Sequence, residues 1–202
     1  MKHSITLHRP AWFGLSRTLV LEEDSFRFQK NRYKYQDVVG LNILSTSVTS
    51  PYGNGQDMQI DIMMSNGEVF RYNDLYENRK NVDDGVAFLR DKTHTAIIQA
   101  YNQMINIEGG VSILNRKPHK PPLAFISKDG TIKVGSRSYS INELDNIGGL
   151  FIGTSRNGFR QSSSSPQHIG ISPNGGRYAS HEIKLHWDFP IVSAFINQFT
   201  NK

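Results

Sequence analysis

The side chains that most often carry catalysis or bind metals are scattered along this sequence. No two of its seven histidines are spaced so that both imidazoles would lie on one face of a helix. His181 and His186 lie five residues apart, which places them on opposite faces of a single strand. We therefore expect ordinary surface or hydrogen-bonded histidines rather than metal ligands. The seven are His3, His8, His94, His119, His168, His181 and His186.

Nucleophile and phosphate motifs are also missing from the sequence. The serine run 162–165 lacks the Gly-x-Ser-x-Gly context of an activated serine and predicts a loop between two strands. The chain has no cysteine, which excludes disulfides, thiolate metal sites and a cysteine nucleophile. The pairs Gly109-Gly110 and Gly148-Gly149 do not fit a phosphate-cradling pattern. We predict that the protein is not an enzyme and has no cofactor.

Charge is distributed unevenly along the 202 residues. Residues 1–107 contain 12 Lys+Arg and 12 Asp+Glu, whereas residues 108–202 contain 11 and 6, so the whole net charge of +5 falls in the second part. Such a bias favours an acidic partner, which can be a protein, an anionic lipid surface or a nucleic acid. A merely solubilising surface is the alternative interpretation.

Two further properties bear on location. No apolar run approaches the roughly 20 residues that a membrane-crossing helix needs. Residues 1–10 contain no apolar core of the kind found in signal peptides. We therefore expect a cytoplasmic protein.

The elements that would position any site are repeated along the chain. Phe26 and Tyr33 in the first half have the same separation as Ile132 and Tyr139 in the second. Downstream, Asp37 and Asp145 precede similar Gly-Leu strands if the second copy is given three extra residues. Both halves then end in similar apolar segments, 97–103 and 191–198. These matches in one order predict two diverged copies of one unit.

Each copy is predicted to be mainly β with one closing helix. Alternating apolar and polar residues predict half-buried strands, and Asn66-Gly67 predicts a hairpin turn. In the first copy, Asp83-Asp84 suits the start of the closing helix because carboxylates are favourable near a helix N-terminus. In the second copy, Asp188 can cap the helix, and Pro190 is tolerated in its first turn.

Strand hairpins closed by one C-terminal amphipathic helix resemble the pleckstrin-homology-like fold. The resemblance implies an α+β, mainly β protein with two units, each an antiparallel sheet or partly closed barrel capped by a helix. It also implies a non-catalytic binding module. The predicted domains are a first unit at 1–107, a basic and proline-rich linker at 108–121, and a second unit at 122–202.

The favoured function is binding of an acidic protein partner through loops or a strand edge. An inhibitor or immunity-type protein would suit this size and charge. The alternatives are a peripheral binder of anionic lipid and, third, a nucleic-acid binder. The residues predicted to contact the partner are Arg137, Arg156, Phe159, Arg160 and Arg177.

Overall fold

The chain forms two compact units in a computed structural model. Within the residues that the structure describes, the fold is mixed α+β and mainly β, as predicted, with four antiparallel sheets, none closed into a barrel. Unit 1 comprises Met1–Ile97 and Phe151–Ser164, and unit 2 comprises Ile98–Leu150 and Ser165–Lys202. The described residues are 4–9, 17–50, 53–76, 79–141, 144–148, 153–156, 159–163, 168–171, 181–187 and 189–200.

The first sheet of unit 1 is a meander whose strands pair in chain order. In its centre, Leu21, Phe26 and Tyr33 lie opposite one another on adjacent strands. Leu21 and Phe26 are fully buried because alternation directs every second residue to the core. A short 3₁₀ turn, Tyr35–Asp37, leads out of the sheet. The strands are β1 (Ile5–Arg9), β2 (Arg17–Leu21), β3 (Ser25–Phe28) and β4 (Asn31–Lys34).

The second sheet of unit 1 has five strands in the order β13-β14-β5-β6-β7, numbered by position in the chain. Strands β5 and β6 form a long hairpin, and β6 also pairs with β7. The turn between β6 and β7 contains Gly67, which has φ +85°. Asn66 Oδ1 accepts a hydrogen bond from the Glu68 amide in that turn, as the Asn-Gly pair predicts. The strands are β5 (Val38–Ser50), β6 (Gly53–Met64), β7 (Val69–Tyr76), β13 (Gly153–Arg156) and β14 (Phe159–Ser163).

Aromatic rings join the two sheets of unit 1. Phe70 on β7 lies with its ring centroid 4.4 Å from Tyr33 and 6.3 Å from Phe26. On the other side of this core, Tyr35 contacts Phe88 of the helix α1 (Arg79–Glu108), with centroids 6.3 Å apart. Such edge and tilted aromatic pairs add to the apolar burial that holds the sheets together.

Helix α1 begins at Arg79, four residues before the predicted start at Asp83. It also passes beyond Ile97, so its last turns belong to unit 2. The helix ends where Gly109 adopts φ +73°, a conformation that favours glycine after a helix. In the part of the chain that is described, no helix combines the length and apolar character required to cross a membrane.

Unit 2 starts with a second four-stranded meander, and its first strand lies inside the predicted linker. All four residues of β8 are buried and pair with β9. Within the same stretch, the Asn115 carbonyl accepts a hydrogen bond from Trp187 Nε1 at 3.0 Å. The stretch 108–121 is therefore part of the fold of unit 2 rather than a separate spacer. The strands are β8 (Gly110–Ile113), β9 (Ala124–Ser127), β10 (Thr131–Val134) and β11 (Arg137–Ser140).

A three-stranded sheet and a helix complete unit 2. The strands β12 (Leu144–Gly148), β15 (His168–Ile171) and β16 (His181–Lys184) pair in that order and precede α2 (Phe189–Thr200). Pro190 lies in the first turn of α2, as predicted. Asp188, the predicted cap, lies outside the described residues. Buried apolar side chains come from the sheet, from α2 and from the segment 185–187 between them, and include Ile169, Ile171, Ile183, Leu185, Trp187, Val192, Phe195 and Ile196.

The two halves match in strand register. The β5–β6 pairing has a bulge directly after Val38, and the β12–β15 pairing has one directly after Leu144, which is 106 positions later (144 less 38). This match needs no extra residues in the second half. It aligns Asp145 with Val39, so the predicted correspondence of Asp145 with Asp37 is wrong.

Candidate functional site

The β13–β14 hairpin carries three of the five residues predicted to contact a partner. Arg156 ends β13, Phe159 begins β14, and the two are paired in register. The dipeptide Asn157-Gly158 between them is a favoured two-residue hairpin connection. Arg160 follows and pairs with Thr49 of β5. The structure therefore brings Arg156, Phe159 and Arg160 to one end of a hairpin.

The other two predicted residues are not part of this hairpin. Arg137 is the first residue of β11 in unit 2, where it is exposed and pairs with Val134. Arg177 lies outside the described residues. Of the predicted set, the structure thus groups the hairpin trio in unit 1 and assigns Arg137 to unit 2.

The trio lies beside the end of a second hairpin. Because β14 is antiparallel to β5, the start of β14 lies next to the end of β5. Ser50 and Gly53, which close the β5–β6 hairpin, are therefore at the same end of the sheet as the trio. We call this group, Ser50, Gly53, Arg156, Phe159 and Arg160, the sheet tip.

The sheet tip is basic. Segments 45–56 and 151–164 contain no Asp, Glu or Lys, and their charged residues are Arg156 and Arg160. Residues 1–97 contain 12 Lys+Arg and 12 Asp+Glu and are neutral overall. The two arginines therefore account for the net charge of +2 in unit 1, and unit 2 carries the remaining +3 of the total +5. The net positive charge of unit 1 is therefore carried by the β13–β14 hairpin.

Glu22 pairs with two basic residues of the first meander. Arg27 Nε lies 2.9 Å and Arg32 Nη2 lies 2.6 Å from the Glu22 carboxylate, and Ser25 Oγ donates to it at 3.2 Å. Burial raises the pKa of this carboxyl, but the Ser25 hydrogen bond and the charges of Arg32 and Arg27 outweigh it, so the pKa lies below its ordinary value. The Tyr35 hydroxyl donates to the Glu22 carbonyl at 2.9 Å, and burial raises the pKa of Tyr35.

The second meander lacks this arrangement. Lys128 and Lys133 are exposed, and no ion pair involves either among the described residues. The nearby Asp129 is held by its own turn: Ser127 Oγ donates to its carboxylate, and the Thr131 amide donates at 2.8 Å. These hydrogen bonds lower the pKa of Asp129. Lys128, in the turn between β9 and β10, and Lys133, on β10, are therefore exposed positive charges.

A buried polar cluster lies on β5, β6 and β7. Asp61 is 0% exposed, and its carboxylate receives Arg71 Nε at 2.6 Å and Nη2 at 3.1 Å. Gln59 Nε2 donates to it at 2.6 Å and Asn42 Nδ2 at 3.4 Å. Asn73 Oδ1 is buried without a hydrogen-bond partner. The arrangement compensates one buried negative charge with one guanidinium and two amides.

Sequence reasoning did not identify this cluster. Asp61 alternates with Ile60 and Ile62, which is the pattern of a strand with one solvent-facing side. Here both sides of β6 are buried at this point. The sequence signal that could have identified the ion pair is the strand register. A turn at Asn66-Gly67 places Arg71 directly opposite Asp61.

Both basic residues of the sheet tip are arginines. Arginine stays protonated in proteins and presents a planar set of donors that matches carboxylates. Among the described residues, no group of three or more His, Asp or Glu is placed to hold a metal ion.

Comparison with protein-family models, with curated proteins and with solved structures finds no match to this chain.

Proposed function

We propose that this protein is a non-enzymatic interaction protein, built from two pleckstrin-homology-like units, that binds an acidic protein partner at the sheet tip. An order of elements that occurs twice supports the two units. Four meander strands, three further strands and a helix follow one another from β1 to α1, and again from β8 to α2 when the β13–β14 hairpin is set apart. Strand hairpins closed by one helix are the features on which the resemblance rests.

The observation that carries the partner assignment is the placement of Arg156 and Arg160. A hairpin from the second half of the chain adds both arginines to a unit that is otherwise neutral. The segments 45–56 and 151–164 contain no carboxylate beside these two positive charges, which favours attraction of an external anion. A protein surface rich in Asp and Glu supplies such groups in fixed positions.

Residue types at the sheet tip agree with a protein partner. Arginine and aromatic residues dominate the binding energy of protein interfaces, because they combine apolar area with directional hydrogen bonds. The trio Arg156, Phe159 and Arg160 has this composition within five residues of sequence. Blocking of the partner's own site, as an inhibitor or immunity-type protein does, is one form that this binding would take.

The first experiment is capture of the partner by the full chain. The immobilised protein is incubated with lysate of its native host and eluted with rising salt, and the eluted proteins are identified by mass spectrometry. We expect one acidic protein in near-stoichiometric amount that is released by salt, because charge pairs at an interface rim are screened.

A charge-reversal variant then tests the site. Arg156→Glu/Arg160→Glu should weaken binding of the captured protein at least about tenfold, because two attractive pairs become repulsive. The matched control Arg116→Glu/Lys117→Glu reverses two exposed charges in the 108–121 stretch and should change the affinity by less than about twofold. Equal losses in the two variants, or no loss in the first, would contradict binding at the sheet tip.

Exposed Lys128 and Lys133 favour an anionic lipid surface as a second candidate. Each basic residue near such a surface contributes on the order of 1 kcal/mol. Flotation with phosphatidylserine vesicles, lost in Lys128→Glu/Lys133→Glu and kept in Arg156→Glu/Arg160→Glu, would establish it. A chain that does not float with these vesicles excludes it.

A further inference from the structure

Unit 1 is completed by a strand from far along the chain. β14 pairs with β5 through Arg160–Thr49, Gln161–Val48, Ser162–Ser47 and Ser163–Thr46. Arg160 and Thr49 are 111 positions apart in sequence (160 less 49). The chain enters unit 1 at Phe151 and leaves it after Ser164, so the β13–β14 hairpin is the part of the second half that belongs to this unit.

Strand numbering shows what this hairpin corresponds to in the first half. β5 spans 38–50, and β12 with β13 spans 144–156, which is the same stretch shifted by 106. β6 ends at Met64, and β15 ends at Ile171, a shift of 107 (171 less 64). The first half therefore has one continuous hairpin, whereas the second half divides the equivalent hairpin between β12–β15 in unit 2 and β13–β14 in unit 1.

The sequence explains why the second hairpin is divided. Leu44 and Gln59 are paired on β5 and β6. By the same shifts, their counterparts are Leu150, which follows Gly148-Gly149, and Pro166. Proline cannot donate a ladder hydrogen bond, and glycine in a strand interior weakens it. A continuous strand pairing is therefore disfavoured in the second half at the positions equivalent to the Leu44–Gln59 pair of the first half.

Attachment of the hairpin to β5 is weak by composition. The eight residues in the β14–β5 pairing include one aliphatic residue, Val48, and otherwise Ser, Thr, Gln and Arg. Backbone hydrogen bonds satisfy the edge of β5, but little apolar area accompanies them. Segments held in this way open at a low free energy compared with global unfolding. An opened β5 edge exposes unpaired backbone groups with which another strand can pair.

We propose that the β13–β14 hairpin is a strand-donating arm that exchanges between two copies of this chain, so that each copy's arm pairs with the other's β5. In the dimer, β14 of one molecule pairs with the β5 edge of the other, in the same register as within the single chain. Every β14–β5 hydrogen bond of the single chain is re-formed in such a dimer, so exchange has a small free-energy cost and concentration favours it.

Cysteine trapping tests the exchange directly, because the chain has no native cysteine. Ser47 and Ser162 are direct cross-strand partners, a separation that a disulfide can span. Chains carrying Ser47→Cys are mixed with larger, tagged chains carrying Ser162→Cys, incubated at about 200 μM, oxidised and separated on a non-reducing denaturing gel. The expected product is a mixed covalent dimer.

The control mixture pairs Ser47→Cys with Ser155→Cys. Ser155 lies on β13, one strand further from β5 and roughly 9–10 Å away, so a correct ladder cannot bridge it. We expect at least about fivefold more mixed dimer from the Ser162 chain. Equal yields from the two mixtures overturn the proposal. Light scattering of the unsubstituted chain is a second measurement: a mass that remains at 22.9 kDa over the same concentrations also overturns it.

Discussion

Asp61 and Arg71 lie directly opposite each other on β6 and β7 and form a two-pronged ion pair, with N–O distances of 2.6 and 3.1 Å. Asp61 is completely buried, whereas the Arg71 side chain is 32% exposed. The carboxylate therefore depends on a partner that reaches it from the edge of the core. Loss of the counter-charge of a buried carboxylate is strongly destabilising.

Removal of Arg71 should destabilise unit 1 strongly. Arg71→Ala leaves the Asp61 carboxylate buried without its counter-charge, and we expect a loss of about 3 kcal/mol in the free energy of unfolding. Urea denaturation followed by circular dichroism measures it. The control Arg90→Ala removes an exposed arginine from α1 and should cost less than about 0.5 kcal/mol. Equal effects of the two substitutions would contradict the role assigned to the pair.

Stability should fall in acid partly because of Glu22. Its folded pKa lies below its ordinary value of 4.5, so its contribution is present above that value and is lost as the pH falls through the folded pKa. In Glu22→Gln this contribution is missing, and the decline in melting temperature from about pH 5 to about pH 3 should be shallower.

The matched control for this pH dependence is Glu68→Gln, which alters an exposed carboxylate in the β6–β7 turn. We expect the control to keep the acid slope of the unsubstituted protein. If Glu22→Gln and the unsubstituted chain show parallel melting curves against pH, the Glu22 carboxylate does not gain stability from Ser25, Arg27 and Arg32.

Adjacent glycines at the start of unit 2 should respond differently to substitution. A Cβ on Gly110 would lie 2.2 Å from the Ile126 carbonyl oxygen and 2.7 Å from Ser127 Cα, so Gly110→Ala forces β8 away from β9. We expect a loss of about 3 kcal/mol. Gly109→Ala meets no atom within 4 Å and is penalised by its φ of +73°, at about 1 kcal/mol. Guanidinium denaturation of both variants checks the order, and a costlier Gly109→Ala would refute this packing.

Local patterns in the sequence predict a large part of the fold. The predicted correspondence of Phe26 with Ile132 and of Tyr33 with Tyr139 agrees with the strand registers, because alternation every second residue identifies the inward side of each strand. The predicted turn at Asn66-Gly67 is also confirmed, because few other residues tolerate the positive φ that Gly67 adopts.

Element boundaries and the linker were less predictable. Helix α1 begins at Arg79, before the predicted start at Asp83. Carboxylates are favourable throughout the first turns of a helix, so the position of Asp83 does not identify the first helical residue. The stretch 108–121 reads as a spacer from its prolines and basic residues, yet its first part contains β8. Only the equivalence of β8 with β1, visible once both sheets are formed, indicates a strand there.

From the sequence, Arg156 and Arg160 are expected in loops of the second copy, whereas they lie on β13 and β14 in unit 1. That assignment depends on β14 and β5, whose polar residues give no preference for one partner strand over another.

By itself, the sequence determined the mainly β character, the closing helices, the neutral first half, the basic second half and the repeated order of elements, because each follows from residues that are neighbours in the chain. Only the tertiary structure decided that Arg160 lies beside Thr49 and that Asp61 is completely buried. Backbone groups pair with any strand of suitable register, and burial depends on what covers a surface. Neither property is encoded in a local pattern.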